Sequence, residues 1–485
     1  MTTPTMPNEY PSDSFGDEPI AAETVDVVRD LTRAGVCADV SAPVRAEHGR
    51  DWWPLTIPLV SAGVVPNWPG VVARPTTEDQ VRDAIRVAAR YGLPVTAQGG
   101  RSGVVGGAAA PTGSLALDLT GLDQIIEVDE TSATVTVEAG VFGPDLERCV
   151  RSLGWTVGHF PQSFDISTVG GWIACRGAGQ RSNRYGTISD MVRGMHVALA
   201  NADLVALGDR GPRQAIGPDL MQLFIGSEGS LGVITRATLT MHRAPESERR
   251  AVYGFDSFDG GMNACRRILQ SDARPAVLRL YDHAESLRHF DDERCVLITL
   301  DEGDPVMVRA TMDVVERECR DAARLDDDHV DSWLAHRNDV GALAPLWQHG
   351  VAVDTIEVAA PWARLPEMRE RVTGELMGVA GMAVASVHQS HAYLDGACLY
   401  FTFAGRPEPE GDLTLFYRQA WDVATAAVLR CGGAISHHHG IGRSRARFVA
   451  TALASAFPVL QGLKSQLDPQ NIMNPGVLGL GASPW

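Results

Sequence analysis

Basic residues are the first shortage. The chain has 42 Lys and Arg against 60 Asp and Glu, a formal charge of −18. A field of that sign does not gather phosphates over a broad surface, so nucleic acid is excluded as a partner and only a local basic pocket remains open. Long apolar runs are missing too. None approaches the ~20 residues of a bilayer-spanning helix, which excludes a transmembrane segment while leaving peripheral membrane contact and self-association open. None of the eight cysteines (Cys37, Cys149, Cys175, Cys265, Cys295, Cys319, Cys398 and Cys431) has a partner at CxxC spacing. Reduced, mostly buried thiols are expected. The N-terminus lacks the basic start and apolar core of an export signal; acidic and rich in Pro and Ser, it reads as a disordered tail, and the expected location is the cytoplasm. No GxGxxG turn opens a helix behind a strand, and Gly-Lys-Ser/Thr is absent, so neither a Rossmann site nor a P-loop is present.

What the chain does have is length and patterned sequence. Its 485 residues exceed one domain, and two or three are expected. Residues 20–40 read as a short amphipathic helix. In VVARPTTEDQVRDAIRVAARYGLPVTA, Thr77 and Gln80 have capping-box spacing. Val81, Ala84, Ile85, Ala88 and Ala89 share a helical face, Gly92 ends the helix, and LPVTA is a strand. IIEVDETSATVTVEAG predicts a hairpin and GPDLERCVRSLGW a helix. Residues 159–190 show little periodicity and read as a long loop, of the kind that is often functional. Near 245 the pattern changes to more charged, alternating strands and helices.

Three segments stand out for glycine: QGGRSGVVGG (98–107), STVGGWIACRGAG (167–179) and GSEGSLGVIT (226–235). Glycine lets backbone N–H groups approach a ligand, and turns with positive φ form anion nests suited to a pyrophosphate. Any one of them is as well explained by a tight turn. Three in one half of the chain favour a large phosphate-bearing cofactor.

LPVTAQGGRSGVVGG, HFPQSFDISTVGGWIACRGAG, PDLMQLFIGSEGSLGVITRATL and LDPQNIMNPG, in that order, resemble the FAD-linked oxidase family of the vanillyl-alcohol-oxidase type. The resemblance covers roughly residues 66–485. It implies an α+β fold: a two-subdomain FAD-binding domain plus an α+β cap domain over the isoalloxazine. On that frame residues 1–19 are tail, 20–65 an N-terminal helical segment, 66–245 the FAD-binding domain, 246–430 the cap or substrate domain, and 431–485 a segment returning to the FAD domain. Carried over residue by residue, Gly99, Gly100, Ser102 and Gly103 wrap the pyrophosphate. Arg101, also a cofactor-binding candidate, stands among them where relatives usually have Gly. Pro161, Ser163, Thr168, Gly170, Gly171 and Ala174 match the second FAD segment, and Gly226, Glu228, Gly229, Gly232, Val233 and Ile234 the third. Relatives with covalent flavin carry a His in the first loop; Val104 and Val105 here imply noncovalent FAD.

Two branches of the family compete. The 2-hydroxyacid dehydrogenases look like HxGDGNxH in the cap with EHG later, and often bind a divalent metal. The alkylglycerone-phosphate synthase branch has a cap Tyr and HHHG. Here SHAYLDGACLYFTFAG (390–405) keeps His391, loses GDGN, and places Tyr400 where the second His stands. AISHHHGIGR (434–443) has His438 in place of the Glu. These features are similar to the synthase branch, in which a Tyr precedes GAC; Tyr393 holds that position. AVLRLYD (276–282) is similar to the branch's phosphate-site segment, with Arg279 as the matching arginine. No metal is expected, because consecutive strand residues face opposite ways and zinc ligands are usually spaced by gaps. The implied reaction is redox-neutral. An acylated dihydroxyacetone phosphate and a fatty alcohol give the alkyl ether precursor by chemistry at flavin N5. Tyr393 is the candidate base, His437, His438 and His439 the acid–base candidates, and Arg279, with Arg443 and His391, the candidates for holding a small-molecule or lipid substrate. The alternatives are a flavin-linked hydroxyacid or other alcohol oxidoreductase and a noncatalytic electron-transfer module.

Overall fold

A computed structural model describes residues 20–208, 211–339, 341, 344–407 and 411–481; the tail expected over 1–19 lies outside the described residues. The first predicted unit forms as its sequence directs. Helix Ala22–Arg33 leads into strand Cys37–Asp39. Thr77 caps helix Glu78–Tyr91, its Oγ1 accepting the Gln80 N–H at 3.2 Å. The reciprocal half of the box is displaced by one residue, because Gln80 Oε1 accepts from Thr76 N–H at 2.7 Å. Val81, Ala84, Ile85 and Ala88 are buried, and Gly92 ends the helix at φ 64°. Strands Val71–Arg74, Leu115–Asp118 and Val95–Gln98 pair in parallel, with Cys37–Asp39 antiparallel at the far edge. The chain's end rejoins this sheet. Val95 N–H donates to Ile472 O at 2.7 Å and Asn474 N–H to Val95 O at 2.8 Å.

A second, five-stranded antiparallel sheet runs Ile125–Asp129, Thr134–Glu138, Val233–Thr240, Val192–Ala198 and Leu204–Gly208. The first two strands are the predicted hairpin. Residues 159–190 hold more structure than their lack of periodicity suggests, with short helices Val169–Ala174, Ser182–Tyr185 and Ile188–Met191. Helices of one or two turns are too short to display a 3.6-residue period, so the pattern misses them.

From Ser247 the chain builds a seven-stranded antiparallel sheet in the order Ala323–Leu325, Ser247–Phe255, Cys295–Gly303, Val277–Tyr281, Met382–Ala392, Gly396–Gly405 and Ala352–Pro361. One face is apolar. Leu278, Leu280, Leu399, Phe401 and Phe403 pack against Phe258, Val308, Leu365 and Tyr417 from covering helices. The two-residue strand period sends Arg279, Tyr281, Tyr400 and Thr402 to the other face. Across that face Tyr281 lies opposite His388, His388 opposite Tyr400, and Tyr400 opposite Glu357. The result is a row of four polar side chains on a largely apolar sheet.

All eight cysteines are free; five are buried and Cys37 is exposed. Among the described residues, Ala446–Leu467 is long and apolar enough to cross a membrane by composition, which the count of uninterrupted apolar residues did not anticipate. It is not one continuous helix, because Ala454 at φ 46° separates Val449–Leu453 from Phe457–Leu467.

Candidate active site

The polar face of the seven-stranded sheet and the three glycine segments enclose one cavity of about 980 Å³. That is at the upper end of the ~300–1,000 Å³ of ligand pockets. All of the predicted cofactor residues except Gly226 line it. Close approach explains two of the glycines. A Cβ on Gly99 would lie 2.0 Å from Thr168 Oγ1, and one on Gly100 would lie 1.8 Å from Ile166 O. Any larger residue would push the first segment off the second. Glu228, at φ 51°, ties the third segment to the histidine run by accepting the N–H groups of Ile441 (2.6 Å) and Gly442 (2.7 Å). Burial pushes its carboxyl up to about 7.

The histidine run folds as an irregular turn, not a strand. Glu357 shapes it. Fully buried, its carboxylate accepts from Ser436 Oγ (2.8 Å), His437 N–H (2.7 Å), His439 N–H (2.8 Å) and Arg445 Nη1 (3.1 Å). Arg445, itself buried, lies 4.8 Å above the Trp421 ring. Because the turn is irregular, the alternation argument against a metal does not apply. His391, Cys398, His437 and His438 converge with ligand atoms all within 4.8 Å of one another.

Arg279, His438 and His439 stand on the cavity wall; Tyr393, His437, His391 and Arg443 do not. Tyr393 lies behind the wall, where its Oη meets His437 Nε2 at 2.8 Å. His437 Nδ1 meets His438 Nδ1 at 2.8 Å, and His438 Nε2 meets Tyr400 Oη at 2.7 Å on the wall itself. One set of neutral tautomers satisfies all three contacts: Tyr400 O–H donates to His438 Nε2, His438 Nδ1–H to His437 Nδ1, and His437 Nε2–H to Tyr393 Oη. Burial favours these neutral forms. It lowers His437 to about 4 and His438 well below its ordinary value, and raises Tyr400 well above its own. His391 bonds Ser390 Oγ at 2.7 Å through Nδ1. Arg443 braces the first glycine loop, donating to the carbonyls of Gly106 (2.6 Å) and Ala109 (2.9 Å).

Several wall residues escaped the sequence reading. His388 stacks on Tyr400 with ring centroids 4.8 Å apart. Its Nδ1 lies 2.8 Å from Glu285 Oε2 and its Nε2 2.7 Å from Arg279 Nη2. His388 therefore donates to Glu285 and accepts from Arg279, and burial lowers its pKa to about 4, which keeps it neutral. Arg279 Nε donates to Tyr281 Oη at 2.8 Å. No carboxylate among the described residues lies within salt-bridge distance of Arg279, so its charge is oriented without being neutralised. His159 is buried on the wall, 4.7 Å from Trp172, with neither ring nitrogen partnered among the described residues. The HFPQSF stretch could have pointed to it. His388 and Glu285 carry no local motif.

A crowded glycine cradle beside polar atoms that lack partners among the described residues, His159 Nδ1 and Nε2 and Arg101 Nε, fits a large polar cofactor such as FAD. The comparisons agree. The FAD binding domain family matches residues 69–208, and the C-terminal domain of FAD linked oxidases matches residues 244–478. An FAD-linked oxidoreductase of Escherichia coli K12, YgcU, is 32% identical over 387 residues, spanning 75% of this chain and 79% of its own. Alkyldihydroxyacetonephosphate synthase of Caenorhabditis elegans is 27% identical over 519 residues, spanning 96% and 85%. A solved alkyldihydroxyacetonephosphate synthase shares the fold, with a TM-score of 0.78 at 24% identity over 97% of this chain and 87% of that one. With both halves matched and the cavity built between them, this chain is an FAD-dependent enzyme of the FAD-linked oxidase family.

Proposed function

We propose that the chain is an enzyme of the alkyldihydroxyacetonephosphate synthase type, exchanging the acyl group of an acylated dihydroxyacetone phosphate for a fatty alcohol. One observation carries this reading: Arg279, a guanidinium without a carboxylate partner among the described residues, shares one cavity face with the Tyr400–His438 pair. When bound, FAD supplies a reversible acceptor of an electron pair.

The protein's own residues do the rest. Arg279 holds the substrate phosphate, because two of its nitrogens are fixed by Tyr281 and His388 and Nη1 has no partner among the described residues. Tyr400 and His438 handle the proton. As Tyr400 Oη takes a proton from the substrate C–H, its own passes to His438 Nε2, and His438 hands its Nδ1 proton to His437 Nδ1, where the array ends as an imidazolium donating to Tyr393 Oη. The same groups return the proton. Overall the C–O bond to the acyl group breaks, the ether C–O bond forms, and the alcohol's proton leaves with the fatty acid. Tyr393 is thereby the neutral acceptor that orients His437, and Tyr400 the group that meets substrate.

Anaerobic mixing with candidate substrates tests this. Ether product without net flavin reduction is the expected result. Bleaching of the flavin by lactate or glycolate, with no ether formed, would sink the proposal in favour of a hydroxyacid oxidoreductase. Silence toward both classes would favour a noncatalytic flavin module.

A further inference from the structure

The first glycine loop carries one residue that the cradle's geometry disfavours. Arg101 has φ 53°, a left-handed conformation in which a side chain is strained and glycine is not. Its side chain is tucked inward, and its Nε is buried with no partner among the described residues. Three arginines, Arg101, Arg74 and Arg50, stand here against two carboxylates, Asp118 and Glu47. Nη1 lies 3.3 Å from His48 Nε2. His48 itself is held neutral: Gln98 Oε1 lies 2.5 Å from its Nδ1, and burial lowers its pKa to about 4. Each carboxylate already serves another arginine: Asp118 accepts from Arg74 Nε at 3.0 Å and Glu47 from Arg50 Nη2 at 2.6 Å. No carboxylate among the described residues comes within salt-bridge distance of Arg101. A strained, half-buried cation whose Nε is buried and unused, standing where glycine would relax the loop, is a stored cost that calls for an anion.

We infer that Arg101 is the counter-charge for the cofactor's diphosphate, an ionic clamp added to a cradle otherwise made of backbone N–H groups. The inference rests on the reading of the first glycine loop as the FAD cradle. It makes two predictions of opposite sign for Arg101→Gly. Without ligand the glycine variant should be the more stable chain, because strain and an uncompensated charge are both removed. Toward FAD it should be the weaker binder.

The test is the thermal midpoint of the full chain across FAD concentrations, together with FAD retention on dilution of the holoenzyme. Wild type, Arg101→Gly, Arg101→Met and Arg101→Lys are compared. In the glycine and methionine variants FAD is expected to dissociate at ten- to a hundredfold higher concentration. Their affinity should also depend less on salt, while Arg101→Lys retains most of the wild-type affinity. At low FAD Arg101→Gly melts above wild type, and at saturating FAD the order reverses. Arg101→Gly or Arg101→Met holding FAD within twofold of wild type overturns the clamp. So does loss of affinity with an unchanged salt dependence, which would make Arg101 a structural residue. Loss of catalysis with FAD affinity intact would leave the cradle standing and place the charge with the substrate, against the clamp.

Discussion

Replacing Glu357 with Gln tests whether a buried ion pair sets the histidine turn. The carboxylate and Arg445 are 0% and 1% exposed and 3.1 Å apart. Removing one member of such a pair strands the other, at about 3–5 kcal/mol. The amide can keep its oxygen for Ser436, His439 and Arg445, which share Oε1, only by turning its N–H donors toward the His437 N–H, so Glu357→Gln should cost about 3 kcal/mol and Glu357→Ala about 5. A chain this long shifts its melting point by at most ~2 °C per kcal/mol, so calorimetry should show falls of up to about 6 and 10 °C. Adding Arg445→Met to Glu357→Gln removes the stranded charge and should recover about 2 kcal/mol relative to additivity. The pH dependence has a definite sign. Burial works against the Glu357 carboxylate, but Arg445, His439 and the two turn N–H groups outweigh it and hold its pKa below the ordinary value. Its contribution is therefore present above the unfolded value of about 4.3 and is lost as pH falls below it, so wild type and variant should converge in acid. A Glu357→Gln protein melting within ~1 °C of wild type, or strictly additive single variants, would refute the reasoning.

Other outcomes follow from the same geometry. Tyr400→Phe should retain FAD and slow the proton-transfer step by about 10²-fold, with Tyr393→Phe milder; a Tyr393→Phe enzyme slower than Tyr400→Phe in stopped-flow measurements would reverse their assignment. Arg279→Ala should weaken binding of a phosphorylated substrate analogue by about tenfold or more while leaving the flavin spectrum unchanged; unaltered affinity by titration calorimetry would remove it from the phosphate site. Glu228 is raised to about 7 by burial, so its favourable contribution exists below the unfolded pKa and is lost as pH rises through about 7. Flavin-free wild type should lose thermal stability relative to Glu228→Gln between pH 5 and 8, and parallel curves would contradict this. Acid precipitation should release the flavin, because the first loop offers Val104 and Val105 where a covalent His would stand; colour remaining in the pellet would show otherwise.

How much was legible in the sequence depended on where the constraint lay. The FAD cradle was legible because its demands are local. Gly99 and Gly100 are glycine since any Cβ would strike Thr168 or Ile166, and such requirements leave a mark in short stretches of sequence. The helix capped by Thr77 and the apolar alternation of the hairpin are local in the same sense. The substrate face was not legible, because it is made by register. Tyr281, His388, Tyr400 and Glu357 come from four strands and become neighbours only when those strands pair. Their two-residue alternation says which residues share a face of one strand, never which residue of another strand lies opposite. That is why Tyr393, next to GAC in the chain, looked like the residue at the substrate, while pairing placed Tyr400 on the cavity wall and Tyr393 behind it. The three histidines show the same limit. Read as a strand they could not converge, but Glu357, 80 residues earlier, bends them into a turn whose rings meet. The sequence by itself determined the cofactor cradle, through backbone space that only glycine leaves open. The tertiary structure alone decided which side chains meet the substrate, because strand register and one buried ion pair aim them.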